Sequence, residues 1–287
     1  MTAILKHELK SYFHSLTAYV FGAFLLVMVG FGSVYYNLMA AVSNFEYVLS
    51  FGSIIFVIIV PLLTMRVIAE ERRQKTDQLL YSLPVTTTQV VLGKYLALLA
   101  VYLVPLGIIS TYPLIFSRYG EVYLPTSYGS LFAIFVMGAA LIAVGVFLSS
   151  LTENQGMAAG ITVAVILFNY YSVSLSEYVS TTILGTLAAL VVLALILGGI
   201  TGLVTGSDVM GYAVAFVLLG CICIIGFTDA SVLEGLLPDL MRSLSLFERF
   251  NAFVSGVFDL TALVYYGSVI LFFLFLTVQS LEKRRYN

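Results

Sequence analysis

Tryptophan is absent, cysteine and histidine occur twice each, proline six times, and only 10% of the 287 residues are charged. A soluble globular domain carries about 25% charged residues, so this chain cannot cover its own surface in water. Its 15 acidic and 13 basic side chains leave a formal net charge of -2, which excludes the global basic field of a nucleic-acid binder. Cys221 and Cys223 share one apolar run. They fall on different faces of a helix, are too close in sequence for an easy disulfide, and read as apolar packing residues. The alternative, a lipidation or metal site, has no visible partner residues. His7 and His14 likewise lack ligand-spaced partners. No G-x-x-x-x-G-K-[ST] motif occurs: Gly93-Lys94 is followed by Tyr95, and the Gly-rich run near 198–206 has no lysine. By itself the chain cannot hold ATP in the P-loop manner. Without a Ser-His-Asp or H-E-x-x-H constellation, no catalytic, cofactor-binding or metal-ligating residue is assigned.

What is present is apolar length. Hydrophobic residues make up 61% of the chain, in continuous runs about twice the ten-residue alternating segments of a membrane β-barrel. Open sheets fail in lipid because every backbone polar group must be paired internally. The fold class is therefore all-α, a polytopic membrane helix bundle. A span needs about 20 apolar residues, and about eight candidates follow: 18–41, 50–69, 94–116, 129–150, 156–175, 181–206, 209–227 and 262–281. Tyr35, Tyr36, Tyr47, Tyr95, Tyr119, Tyr128, Tyr178 and Tyr265 fall at span ends, an interfacial belt built from tyrosine. With the N-terminus inside, ten basic residues lie inside (Lys6, Lys10, Arg66, Arg72, Arg73, Lys75, Lys94, Lys283, Arg284, Arg285) and three outside (Arg118, Arg242, Arg249). The positive-inside rule favours that orientation, with both termini cytoplasmic.

Residues 1–17 are too polar to span. Leu5, Leu9, Tyr12, Phe13 and Leu16 recur at helical spacing while Lys6, Lys10 and His14 share the opposite face, which predicts an amphipathic helix on the inner membrane surface. The long apolar stretch that follows, without a small-x-small site, speaks against a cleaved signal peptide. Runs 181–206 and 209–227 are separated only by Gly206-Ser207-Asp208, so 181–227 reads as a membrane hairpin. Gly198, Gly202 and Gly206 fall four apart on one helix face, a stripe that lets helices approach closely, either against a neighbouring span or across a dimer seam. Residues 228–261 form the longest non-spanning segment. Leu233, Leu236, Leu237, Leu240, Leu244, Leu246, Phe247, Phe250 and Phe253 make it amphipathic, and it is placed outside.

Ionisable residues in mid-span, the mark of proton and ion paths, are scarce. Arg66 stands four residues before Glu70, which suits a helical ion pair, and Asn169, Tyr170 and Tyr171 are the most polar group inside a span. The scarcity argues against an ion-coupled carrier. The most polar inner segment is 70–94, EERRQKTDQLLYSLPVTTTQVVLGK. Glu70 to Leu83 can form a short helix with Glu71, Arg72, Lys75 and Asp77 on its polar part and Leu79, Leu80 and Leu83 as an apolar cluster. Pro84 stops it, and Thr86 or Thr87 can cap the next helix. Such a helix between two spans is a docking surface; the plain alternative is a solvated loop. Glu70 and Glu71, nearer the membrane, are placed to brace the loop against Arg66 or the N-terminal helix, and Arg72, Arg73 and Asp77 to set orientation at a docking rim.

Four stretches, in order, resemble ABC-2 type permeases, in particular the gliding-motility-like (Gld-type) subgroup: LKHELKSYFHSLTAYVF at 5–21, PLLTMRVIAEERRQKTDQLLYSLPVTTTQVVLGKYLA at 61–97, SSLTENQ at 149–155, and SLFERFNAFVSGVFDLTALVYY at 245–266 followed by FLTVQSLEKRRYN. Glu70, Glu71, Arg72, Thr76, Leu79, Leu80, Pro84 and Val85 match the family pattern, as do Gly93 and Lys94 where the third span begins. The resemblance implies one ABC-2 type transmembrane domain over 1–287, with an N-terminal elbow helix and a six-span core into which the 181–227 pair is inserted. It implies a permease of an ABC exporter, with 70–94 coupling to a separate ABC ATPase subunit that supplies ATP and Mg, since this chain binds no cofactor. Further partners implied are a second permease chain in a homo- or heterodimer, accessory membrane proteins and membrane lipid, in a bacterial or archaeal plasma membrane. The alternative is a non-transporting membrane scaffold or anchor for a cytoplasmic ATPase complex.

Overall fold

The computed structural model describes residues 2–75, 85–179, 182–205, 208–228 and 234–286, and every regular element among them is helical. The helices are α1 (Thr2–His14), α2 (Leu16–Ser33), α3 (Phe45–Gly52), α4 (Phe56–Thr64), α5 (Ala69–Arg73), α6 (Thr87–Ile109), α7 (Tyr112–Phe116), α8 (Leu124–Leu151), α9 (Gln155–Ser176), α10 (Ile183–Thr205), α11 (Asp208–Thr228), α12 (Leu236–Ser243), α13 (Leu246–Val254) and α14 (Leu260–Tyr286). Among the described residues, six helical stretches are long and apolar enough to cross a membrane: Leu16–Met39, Phe45–Arg73, Thr87–Phe116, Leu124–Leu151, Gln155–Ser176 and Leu260–Lys283. The remaining two of the eight expected spans fall on α10 and α11, whose apolar stretches among the described residues, Gly185–Gly199 and Asp208–Ile222, are shorter. The chain divides into two compact units, residues 1–170 with 249–287, and residues 171–248.

In the first unit the fourth span, α8, is the centre. α3, α4, α6, α7 and α14 all pack on it, and α1 lies along α6. Small residues on α8 explain how so many helices reach it. Gly138 admits the Tyr102 ring, whose hydroxyl donates to the Ile134 carbonyl at 2.8 Å. Around that buried tyrosine stand Phe21, Phe56 and Phe135, with ring centroids 5.8–6.0 Å away. Such aromatic groups contribute about 0.5–1.5 kcal/mol per pair beyond area burial. On the outer surfaces Val27, Phe31, Val104, Phe132, Phe168 and Phe272 are exposed, which in water would be an aggregation liability and in lipid is the expected solvent-facing pattern.

The second span is not one helix. α3 runs through a 3-10 turn at Ser53–Ile55 into α4, which stops at Thr64; residues 65–68 form a turn before α5. The inner helix expected from Glu70 to Leu83 is interrupted as well: α5 ends at Arg73, and Lys75 has a positive φ of 57°, a left-handed conformation that no helix interior accepts. At the other end of this unit the Ser130 hydroxyl donates to the Phe253 carbonyl at 3.0 Å, and the Arg249 guanidinium lies 4.1 Å from the centroid of the Tyr265 ring. In the 228–261 segment Leu237, Leu246, Phe247, Phe250 and Phe253 are buried, while Leu240 and Leu244 are exposed.

In the second unit α10 and α11 pack tightly against each other. A Cβ at Gly198 would lie 2.6 Å from the Ala215 Cβ and 2.9 Å from the Gly211 carbonyl oxygen. Gly198 is therefore committed to contact inside the hairpin; Gly202 lies within α10, and Gly206 lies outside the described residues. Arg242 on α12 donates to the Ser176 hydroxyl at 3.1 Å. Gly198→Leu is expected to splay this hairpin, since overpacking costs about 1–3 kcal/mol. Hydrogen exchange of the amides in 208–222 should then accelerate roughly tenfold, and unchanged protection would show that the close approach does not hold the pair.

Candidate functional site

The break in the second span leaves backbone groups that a continuous helix would satisfy, and buried orphans of this kind cost about 1–3 kcal/mol each. Side chains from other helices take them up. The Ser149 hydroxyl on α8 accepts from the amides of Ile68 at 3.3 Å and Ala69 at 3.2 Å and donates to the Met65 carbonyl at 3.3 Å. Lys94 Nζ on α6 donates to the Val67 carbonyl at 3.1 Å. Tyr12 on α1 donates its hydroxyl to the Leu63 carbonyl at 3.3 Å. Burial, with a smaller contribution from the nearby Glu8 carboxylate, pushes the Tyr12 phenol above its ordinary range, so it stays a neutral donor.

Lys94 does more than mend the break. Its side chain is 2% exposed, and its ammonium reaches Glu8 Oε1 at 2.7 Å and Glu71 Oε1 at 2.5 Å. The three donors of the ammonium thus meet a carboxylate from α1, a carboxylate from α5 and a carbonyl of the intervening turn. One buried cation joins the N-terminal helix, the base of the 70–94 segment and the start of the third span. Sequence reasoning missed Glu8, although Ile4, Glu8 and Tyr12 fall four apart along α1. An acid in that stripe, on the side that turns away from Lys6 and Lys10, was the available signal.

Other expected sites move. Arg66 does not pair with Glu70. Residues 65–68 are a turn, so the four-residue spacing is not helical there; Arg66 Nη1 donates to Thr17 Oγ1 at 3.1 Å, and Glu70 Oε1 pairs with Arg73 at 3.1 Å and accepts from Gln74 Nε2. Arg72 is 5% exposed, so it belongs to the interior of the segment's base and not to a docking rim, whereas Arg73 is largely exposed. Glu71 bridges to α1 through Lys94. Thr76, Asp77, Leu79, Leu80, Leu83 and Pro84 lie outside the described residues. On the downstream side Thr86 is the N-cap of α6, its hydroxyl accepting from the Gln89 amide at 3.3 Å. The Thr87 hydroxyl donates to Glu282 Oε1 on α14 at 2.7 Å. Asn154, in the SSLTENQ stretch, accepts from the Gly156 amide at 2.9 Å and starts the fifth span.

A family model described as ABC-2 family transporter protein matches residues 15–171, more than half of the chain. The chain belongs to the ABC-2 transporter family. No curated protein and no solved structure matches it. As an ABC-2 protein it is a membrane component of an ABC transporter, and such components associate with an ABC ATPase subunit. The matched region covers the first four spans and most of the fifth, includes Lys94 and Ser149, and ends where the second unit begins. It starts after α1, so Glu8 and Tyr12 are contributed from outside it.

Proposed function

We propose that this ABC-2 protein is the permease subunit of an exporter of the Gld-type subgroup. Two permease chains work with two copies of a separate cytoplasmic ATPase, which carries ATP and Mg, and the segment 70–94 receives the ATPase's closing motion. The observation that carries the reading is the Lys94 cluster. A segment that transmits force needs a firm root, and the root of this one is fastened to two other helices through a buried cation. The end of the bundle that holds Lys94 also holds Lys6, Lys10, Arg66, Arg73 and Lys283, which supports a cytoplasmic placement for it. In this orientation α1 is an elbow helix on the inner leaflet. With 23 and 21 residues, α10 and α11 are long enough to add a hairpin to the six spans; the topology expected from the sequence keeps its turn inside and the 228–261 segment outside.

Leu79, Leu80 and Leu83 would enter a groove on the ATPase, with Arg73 and Asp77 orienting the contact. Burying a leucine is worth about 1.5–3 kcal/mol, whereas exposed charge pairs contribute about 0–1 kcal/mol, so the leucines dominate affinity. Leu79→Asp with Leu83→Asp is expected to leave the permease inserted and folded and to weaken its ATPase binding at least ~100-fold, measured by copurification and by titration of the purified subunits. A double variant that binds and stimulates the ATPase like the parent would reduce 70–94 to a solvated loop.

A further inference from the structure

The segment between Arg73 and Thr87 has two ends, and the Lys94 cluster accounts for only one of them. The other end is Thr87, the first residue of α6 and only 5% exposed. Its hydroxyl donates at 2.7 Å to Glu282 Oε1, a partner 195 positions away on the last helix. A hydrogen bond to a carboxylate is about twice as strong as a neutral one, and a carboxylate beside the first turn of a helix faces its positive end. Glu282 does not come from a frayed tail. Leu281 and Thr277 beside it are buried, and the Ser280 hydroxyl donates to the Ser150 carbonyl of α8 at 3.4 Å. The upstream end of the segment is thus held by a carboxylate–ammonium pair to the helix that opens the chain, and the downstream end by a carboxylate–hydroxyl pair to the helix that closes it.

We propose that Glu282, acting through Thr87, is a positioning residue for coupling: it fixes the downstream end of the 70–94 segment and makes the C-terminal span move with the third span. The inference rests on the coupling role proposed above. Thr87→Val keeps the side-chain shape and removes the donor, while Thr87→Ser keeps the donor. In the purified permease–ATPase complex in nanodiscs, Thr87→Val is expected to change ATPase affinity less than threefold and to lower permease-dependent ATP hydrolysis roughly tenfold, and Thr87→Ser to restore it. A second arm needs no ATPase. Spin labels on Thr88→Cys and Gln279→Cys, in a background with Cys221→Ala and Cys223→Ala, should give one narrow distance distribution that broadens in Thr87→Val. Hydrolysis within twofold of the parent in Thr87→Val, or an unchanged label distribution, overturns the inference while leaving the coupling role intact. Failure of the unsubstituted chain to bind the ATPase overturns both.

Discussion

Lys94→Met is expected to lower the thermal midpoint of the purified protein by about 6–20 °C, from a loss of about 3–5 kcal/mol when one partner of a buried ion pair is removed and about 2–4 °C per kcal/mol for a chain of this size. The substitution removes the ammonium that Glu8 and Glu71, 13% and 26% exposed, share, and strips the Val67 carbonyl of its donor. Part of the cost lies in two carboxylates deprived of this ammonium, so Lys94→Met combined with Glu8→Gln and Glu71→Gln should recover part of the loss. Lys94→Arg should not rescue: a planar guanidinium presents its donors in a fixed fork, and this pocket is shaped around three acceptors at 2.5, 2.7 and 3.1 Å from one nitrogen. Scanning fluorimetry of the set in one detergent decides the matter. A Lys94→Met protein as stable as the parent would mean that the cluster does not hold these helices together.

Gly145→Leu is expected to prevent accumulation of folded protein, and Gly145→Ala to cost about 1–3 kcal/mol. Gly145 lies on the face of α8 against Thr64, the last residue of α4. A Cβ there would sit 2.8 Å from Thr64 Cγ2 and 2.9 Å from Thr64 Cβ, and closer still to its hydroxyl oxygen. Thr64 cannot turn away, because it is fully buried and its hydroxyl donates to the Val60 carbonyl at 2.9 Å. Thr64→Ala combined with Gly145→Ala should regain only part of the loss, since the Cβ at 2.9 Å remains. Ser149 follows one turn later on the same face, so a shift of α4 at Gly145 also pulls the turn at 65–68 from the hydroxyl that satisfies it. Size-exclusion profiles and thermal midpoints of the three variants test this; a Gly145→Leu protein that is monodisperse and stable would show that the two spans are not in close contact here.

The helices were legible because lipid leaves the backbone no other choice, and long apolar runs carry that information locally. The second-span break was not. TMRVIAE at 64–70 contains neither glycine nor proline, and what stabilises its open backbone groups comes from Ser149 and Lys94, residues 80 and 27 positions away in the hydrogen bonds they make. A helical spacing of Arg66 and Glu70 was inferred across that break and failed for the same reason. Lys94 was singled out only by its fit to a family pattern, because composition alone cannot tell a lysine at a span end that faces water from one that is 2% exposed. Glu8 was passed over because α1 was read as a helix with an apolar face toward lipid, and an acid within that face acquires meaning only once a buried cation is found opposite.

The last span packs along the fourth, and the two are separated in the chain by the whole second unit. At a synthesis rate of about 5–20 residues per second, domains of a multidomain chain form in the order they are made, and α8 waits roughly ten seconds for α14. During that interval the face of α8 that will receive α14 has not met that helix, and Thr87 has no carboxylate to bond. The first unit is therefore completed last, by the final 27 residues of regular structure. Loss of the C-terminal helix would therefore strike the packing of α8, a helix made well before it.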